Sequence, residues 1–366
     1  MTTDSSVLST MPTAKRVALL NRDDRLFHVI LAQQVQRETI DHLCKLAEMI
    51  RTVAETRQGV HFLRTLLSHK RAMLYFIQPS TRTFLSFASA CQILGMPYDE
   101  VRNPSVSSEI KGETEDDTIR VLSQYFDLII MRHPVEGFAE TMAHELDALH
   151  LSIPIVNGGS GKDQHPTQAL LDIYTLLRSF AEDSGPKGIP SFAHDRMAGK
   201  TIAFVGDLKR GRTVRSLVYL LGRYPGVRLR FVSPPELGLE HDIISYMKRN
   251  EMEYETASDL GEIIGDCDAV YMTRLQDEYD IKGESKSIDY DRFRLSADMA
   301  PQFKPNLAIL HPLPRRNELD RALDTDPRAR YWDQVKNGMW MRAAIIAYIF
   351  NADAAILDHF QSHYTY

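Results

Sequence analysis

The sequence predicts an α/β protein made of two doubly wound parallel-sheet domains. Three observations carry that expectation. Short apolar runs of strand length alternate with helix-period patterns, a cluster of glycines and prolines interrupts the alternation in mid-chain, and the alternation then begins again. At 366 residues the chain is also long for one hydrophobic core, so two domains are expected on size alone.

Taken in order, residues 1–25 read as a flexible, polar N-terminal extension. It is rich in Ser and Thr and carries Lys15, Arg16 and Arg22, but it lacks the apolar core of a secretory signal. Asp4 argues against an organellar presequence, so a cytoplasmic location is expected. Residues 26–181 form the first expected domain, with strand-like runs at Ala72–Ile77, Asp127–Arg132 and Ser152–Asn157 and a helical pattern at Thr167–Arg178 after His165-Pro166. Gly185, Pro186, Gly188, Pro190 and Gly199 mark the boundary, and residues 182–330 form the second domain. There the alternation runs through Thr201–Gly206, Val214–Tyr224, Arg228–Val232, Asp242–Lys248, Ala269–Thr273 and Asn306–Leu310. Residues 331–366 remain as a C-terminal helical segment.

Bulk composition narrows the function classes. With 43 basic against 49 acidic residues the formal net charge is −6, which offers no electrostatic argument for nucleic acid or an anionic membrane. The most apolar late stretch, Ala343–Leu357, is interrupted by Asn351 and Asp353 and is too short to span a bilayer. Cys44, Cys91 and Cys267 are far apart, with neither metal-type nor redox-type spacing, and are expected to be reduced and buried. The turn from Gly206 to Arg212 lacks the G-x-G-x-x-G spacing, so a dinucleotide site is not expected. No metal set is apparent, and no cofactor is expected.

The chemistry starts at Pro79-Ser80-Thr81-Arg82-Thr83, between a strand-like run and a helical stripe of Phe84, Phe87, Cys91 and Leu94. A plain helix cap needs one side-chain oxygen. Three hydroxyls around an arginine, placed where the first helical N–H groups lack intrahelical partners, instead suit a tetrahedral oxyanion such as phosphate. Other polar clusters, Arg132-His133-Pro134 and Gln164-His165-Pro166-Thr167-Gln168, also follow strand-like runs, where open α/β sheets place their ligands.

Read together, these segments resemble the aspartate and ornithine carbamoyltransferase family. The resemblance rests on Ser80-Thr81-Arg82-Thr83, Lys111-Gly112-Glu113-Thr114, Met131-Arg132-His133-Pro134, His165-Pro166-Thr167-Gln168, Gly206-Asp207-Leu208-Lys209, Gly211-Arg212-Thr213, Thr273-Arg274-Leu275-Gln276 and His311-Pro312-Leu313-Pro314, and extends from about Phe27 to Tyr348. It implies bridging helices between the domains and a C-terminal helix that returns to the first. It implies that Ser80, Thr81, Arg82 and Thr83 hold the phosphate of carbamoyl phosphate, while Thr83, Arg132 and His165 point at its carbonyl oxygen. Gln168 and the backbone carbonyls of Pro312 and Leu313 would hold the carbamoyl amide.

For the second substrate, the resemblance implies that Arg212 meets an α-carboxylate. Arg274 and Gln276 would meet a side-chain carboxylate, and Lys111 would reach both that group and the phosphate. A dicarboxylate needs two separated cationic partners, so L-aspartate is the expected acceptor. Ser107 and Lys111 would enter a neighbouring subunit's site, which implies a homotrimer, and binding would be ordered, with carbamoyl phosphate first and domain closure after it. The competing readings are a carbamoyltransferase for another amino acid and a noncatalytic scaffold relative. Against the scaffold, Arg82, Arg132, His165, Arg212 and Arg274 are all retained. The chain departs from the family pattern at Gln78, Phe84 and Tyr279, where an acid and two arginines are usual. A neutral contact of Gln78 with Tyr279 is expected in place of an interdomain ion pair, and Phe84 is expected to serve packing.

Overall fold

The computed structural model describes residues 11–102, 113–161, 164–181, 196–276 and 291–364. Ser107, Lys111, Asp277, Glu278, Tyr279 and most of the Gly/Pro-rich boundary stretch lie outside them. By Cα proximity the chain divides into two units, Met1–Thr167 with Gly338–Tyr366, and Gln168–Asn337. Their edges fall within two helices, whereas the sequence puts its boundaries at 182 and 331.

The first unit opens with α1 (Thr13–Leu20), a two-residue hairpin of Asn21–Arg22 against Arg25–Leu26, α2 (Arg37–Val53) and α3 (Arg57–Thr65). Then β1 (Ala72–Phe76), α4 (Thr81–Ile93), β2 (Tyr98–Val101), α5 (Glu115–Tyr125), β3 (Leu128–Arg132), α6 (Phe138–Ala148) and β4 (Ile155–Asn157) build a four-stranded sheet. All its pairings are parallel, in the order β2-β1-β3-β4. The chain therefore winds one way from β1 to β2 and the other way from β1 to β3. The crevice beyond the C-terminal ends of β1 and β3 is the topological switch point.

Burial explains why the central strands are visible in the sequence. Every residue of β1 and β3 is buried, and Met73, Tyr75, Ile129 and Met131 pack with Phe138, Met142 and Leu146 of α6 in one core. Edge strand β2 is half-buried at its ends and exposed at Asp99 and Glu100, so it has no apolar run to betray it. Phe84 is buried and meets Phe76 edge to face at 5.5 Å, which accounts for its place in the sequence by packing.

The second unit takes up most of α7 (Pro166–Ser179), then β5 (Thr201–Val205), α8 (Arg212–Leu221), β6 (Arg228–Val232), α9 (His241–Arg249), β7 (Glu253–Ala257), β8 (Ala269–Met272) and β9 (Ala308–Leu310). Its five strands are parallel in the order β9-β8-β5-β6-β7, so a second switch point lies between β5 and β8. Val205, Val232, Val270, Met272 and Ile309 share a core with Leu260, Ile264, Leu307 and Tyr331. Edge strand β7, with exposed Glu253, Glu255 and Thr256, is again absent from the sequence reading.

The chain ends with α10 (Tyr331–Ile349), which runs through the unit edge at Asn337, and α11 (Asp353–Tyr364). In the first unit Arg342 donates to Ser86 Oγ at 2.7 Å, and Asp353 accepts from Arg25 at 3.1 Å and pairs with His42 at 2.9 Å. Among the described residues no single helix is long and apolar enough to cross a membrane. The late apolar stretch is two helices bent by 116°, with Ala343 to Ala347 buried.

Candidate active site

In the first unit, β1 delivers Gln78-Pro79-Ser80 to the switch point. Ser80 occupies the N-cap position of α4 with extended backbone (φ −162°, ψ 104°), and its carbonyl accepts from Phe84 N at 3.2 Å, yet its hydroxyl makes no cap hydrogen bond. A capping serine normally spends that oxygen on an orphan N–H. Here the cap position is filled and the cap bond is absent. Thr81 and Arg82 are exposed, Thr83 is buried, and the first turn carries no acid to oppose the positive end of the helix. A pentapeptide of this composition at a helix N-terminus suits an oxyanion.

β3 delivers Arg132 alongside. Gln78 N donates to the Arg132 carbonyl at 3.1 Å, which ties the exit of β1 to the end of β3. The Arg132 guanidinium is buried and donates through Nη1 to Gly158 O at 2.9 Å. Gly159 lies flush against it with φ +107°. A Cβ there would stand 2.5 Å from Arg132 Nη1 and 3.1 Å from His165 Cδ2. One glycine thus lets the backbone approach both Arg132 and His165, which are both buried and lie against the same turn. The turn is held by Asn157, whose Oδ1 accepts from Gly159 N at 2.8 Å and whose Nδ2 donates to Ile30 O and Ser160 Oγ, both at 3.2 Å.

His133, next in sequence to Arg132, is structural. Its Nδ1 accepts from Val135 N at 3.2 Å, so Nε2 carries the proton and donates to Glu115 Oε1 at 2.9 Å, while the ring stacks on Phe138 at 3.9 Å.

In the second unit, Asp207 joins the two turns beyond β5 and β8. Its buried carboxylate accepts from Arg210 N at 3.1 Å and from Gln276 N at 3.2 Å. It therefore draws together the loop that leads to Arg212, first residue of α8, and the one that carries Arg274 and Gln276. Gly206 (φ +109°) permits that approach, since a Cβ would meet Thr273 O at 2.3 Å. Arg212, Arg274 and Gln276 are half-buried, and the Arg274 Nη1 donates to Leu275 O at 2.9 Å. Two guanidinium groups on adjoining turns suit a ligand with two carboxylates.

The exit of β9 is also built from named contacts. Leu313, at φ +54°, donates to His311 Nδ1 at 2.7 Å, which leaves His311 Nε2 as the donor to Glu318 Oε1 at 2.8 Å. Arg316 N donates to the same Glu318 oxygen at 2.9 Å. Burial works against the Glu318 charge, but the His311 and Arg316 bonds prevail and hold the carboxyl below its ordinary value. A depressed folded-state value adds stability above the unfolded value of about 4.3 that is lost as pH falls through the folded one. Glu318→Gln is thus expected to lower the melting temperature at neutral pH, with the deficit shrinking in acid. A deficit that stays constant from neutral pH down to about pH 3 in thermal unfolding scans would remove Glu318 from this role.

Sequence reasoning gave no role to Gly159, Asp207, Asp172 or Gln334. Asp207 had a signal, a carboxylate directly after a strand and a glycine. Asp172 had another, a lone acid in the apolar run Ala169-Leu170-Leu171-Asp172-Ile173. Among the described residues no group of three or more His, Cys, Asp or Glu could hold a metal ion. Burial pushes the Cys91 and Cys267 thiols up to about 12 and Cys44 well above its ordinary value, so none is a nucleophile at neutral pH.

Comparison with known proteins covers both units. Residues 28–178 match the family model described as "Aspartate/ornithine carbamoyltransferase, carbamoyl-P binding domain", and residues 198–349 match "Aspartate/ornithine carbamoyltransferase, Asp/Orn binding domain". The aspartate carbamoyltransferase catalytic subunit of Methanosarcina mazei is 39% identical over 320 residues, covering 87% of this chain and 96% of the relative. Aspartate transcarbamoylase from Trypanosoma cruzi, solved with carbamoyl phosphate and aspartate, superposes with a TM-score of 0.74 at 33% identity, over 87% of this chain and 95% of that one. The catalytic subunit of M. jannaschii aspartate transcarbamoylase gives a TM-score of 0.74 at 34% identity, over 89% and 99% of the two chains.

Proposed function

The chain belongs to the aspartate/ornithine carbamoyltransferase family, and from that premise we propose how its residues divide the work of an aspartate carbamoyltransferase. The enzyme transfers the carbamoyl group of carbamoyl phosphate to the α-amine of L-aspartate, giving N-carbamoyl-L-aspartate and phosphate, a step of pyrimidine biosynthesis. The observation that carries the assignment of roles is the meeting of Arg132 and His165 over Gly159, beside the Ser80 turn at the first switch point.

Ser80, Thr81, Arg82 and Thr83 bind the phosphate. Thr83, Arg132 and His165 donate to the carbonyl oxygen, and Gln168 with the carbonyls of Pro312 and Leu313 takes the amide. Arg212 binds the α-carboxylate of aspartate, and Arg274 and Gln276 bind its side-chain carboxylate. The deprotonated amine attacks the carbamoyl carbon, the carbonyl π electrons move onto oxygen, and the C–O bond to phosphate breaks as the carbonyl re-forms. The amine's surplus proton leaves with the phosphate. Since charge grows on the carbonyl oxygen, donors already fixed there lower the barrier without reorganising. Ser107 and Lys111 belong to the proposal through the family pattern, which also supports a homotrimer with shared sites; a cytoplasmic location is part of the same reading.

The reading is tested with a panel of amino acids and carbamoyl phosphate, scored for ureido product. Aspartate is expected to be the preferred acceptor, with ornithine near background. Faster turnover of ornithine would overturn the assignment of Arg212, Arg274 and Gln276.

A further inference from the structure

We propose that Asp172 is a positioning residue for recognition of the carbamoyl amide, setting the polarity of Gln168 and, through Gln334, the place of the Pro312 and Leu313 carbonyls. The inference rests on the carbamoyl-phosphate reading above and assigns a residue to which that reading gives no part.

Asp172 lies one helical turn after Gln168 on α7, so the two side chains share a face. It is fully buried. Its Oδ1 accepts from Gln168 Nε2 at 2.9 Å and from Gln334 Nε2 at 2.6 Å, and its Oδ2 accepts from the Tyr271 hydroxyl at 2.8 Å. An ionised carboxylate only accepts, so it decides which end of each neighbouring amide is nitrogen. Tyr271 keeps its proton for this bond, because burial and the adjacent Asp172 charge push the phenol well above its ordinary value.

Two consequences follow. With its nitrogen committed inward, Gln168 has its Oε1 to offer to a ligand. Gln334, held the same way round, turns its Oε1 to His311 N at 2.9 Å and so anchors the backbone just before Pro312 and Leu313. The groups that Asp172 makes available through the two glutamines are therefore acceptors: one side-chain amide oxygen and two main-chain carbonyls. A set of acceptors suits a primary amide with two N–H donors, and it offers nothing to a methyl group in the same place. The arrangement selects carbamoyl phosphate over acetyl phosphate, which has the same phosphate and carbonyl and nearly the same shape.

The experiment compares wild type with Asp172→Ala and Asp172→Asn, measuring KM for carbamoyl phosphate and the competitive Ki of acetyl phosphate and of inorganic phosphate. In Asp172→Ala the carbamoyl phosphate KM is expected to rise by about tenfold or more, with both inhibition constants held within about threefold. Asp172→Asn can keep one oxygen for both glutamines and turn its nitrogen to the Tyr271 oxygen, so it is expected to restore the discrimination. A folded Asp172→Ala enzyme with the wild-type ratio of constants overturns the proposal. Should that variant fail to fold, Gln334→Leu decides. It cuts the tie to His311 while leaving Asp172 and Gln168 in place, and an unchanged ratio in it overturns the proposal as well. Absence of carbamoyl transfer in the wild type would instead sink the functional reading itself.

Discussion

Arg132→Ala is expected to lower kcat by about 10²–10³-fold, the cost found when one preorganised oxyanion donor is removed. The guanidinium is buried, held by Gly158 O at 2.9 Å and braced by the Gly159 backbone, so its aim is set before substrate arrives. Its charge is permanent, which suits an oxygen that becomes anionic only in the transition state. The effect should fall on kcat, with KM for aspartate little changed, because aspartate's carboxylates are assigned to other residues. Lysine is expected to rescue poorly, since a point charge on a flexible stem cannot keep both the Gly158 bond and the carbonyl contact. The change also strips Gly158 O of its donor at a cost of about 1–3 kcal/mol, so the kinetics are read alongside a melting curve. Turnover within about fivefold of wild type, in a variant that melts normally, would show that Arg132 only supports the turn.

Gly206→Ala should cause a large loss of stability. The added carbon would stand 2.3 Å from Thr273 O on a backbone at φ +109°, where neither partner is a side chain that can swing away. Backbone strain of this kind costs about 1–3 kcal/mol and the clash adds to it. At about 3 kcal/mol the melting temperature would fall by roughly 6–12 °C. Gly199→Ala is the control, because Gly199 shares a positive φ of +75° but has nothing within 4 Å of the added carbon. A melting temperature for Gly206→Ala equal to that of Gly199→Ala would show that the two turns do not constrain each other. Because Asp207 bridges these turns, aspartate KM should rise in Gly206→Ala well before carbamoyl phosphate KM does.

The strands legible in the sequence are those that carry buried apolar runs. β1, β3, β5 and β8 are continuous apolar runs because helices and neighbouring strands cover them, and sequence and structure agree there to within a residue. Edge strands Tyr98–Val101 and Glu253–Ala257 were illegible because their side chains are largely exposed and charged. The Ser80 turn, Arg132 and Arg212 were legible because charged or hydroxyl groups recur just past strand ends. What the sequence could not convey is long-range adjacency. Nothing in linear order says that Gly159 abuts both Arg132 and His165, or that Asp172 would bind a glutamine from Tyr331–Ile349 and a tyrosine from Ala269–Met272. Such contacts depend on close backbone approach and on which polar groups end up sealed from water.

The first unit is assembled from both ends of the polypeptide, residues 1–167 and 338–366, while the second is one uninterrupted stretch. On the ribosome the later segment therefore finishes before the earlier one. Until residues 338–366 emerge, Arg25 and His42 wait for Asp353, and Phe62 waits for the His359 ring that stacks on it at 3.8 Å. A nascent chain released from the ribosome as far as residue 337 would hold every residue of the second unit while the first still lacked Asp353 and His359.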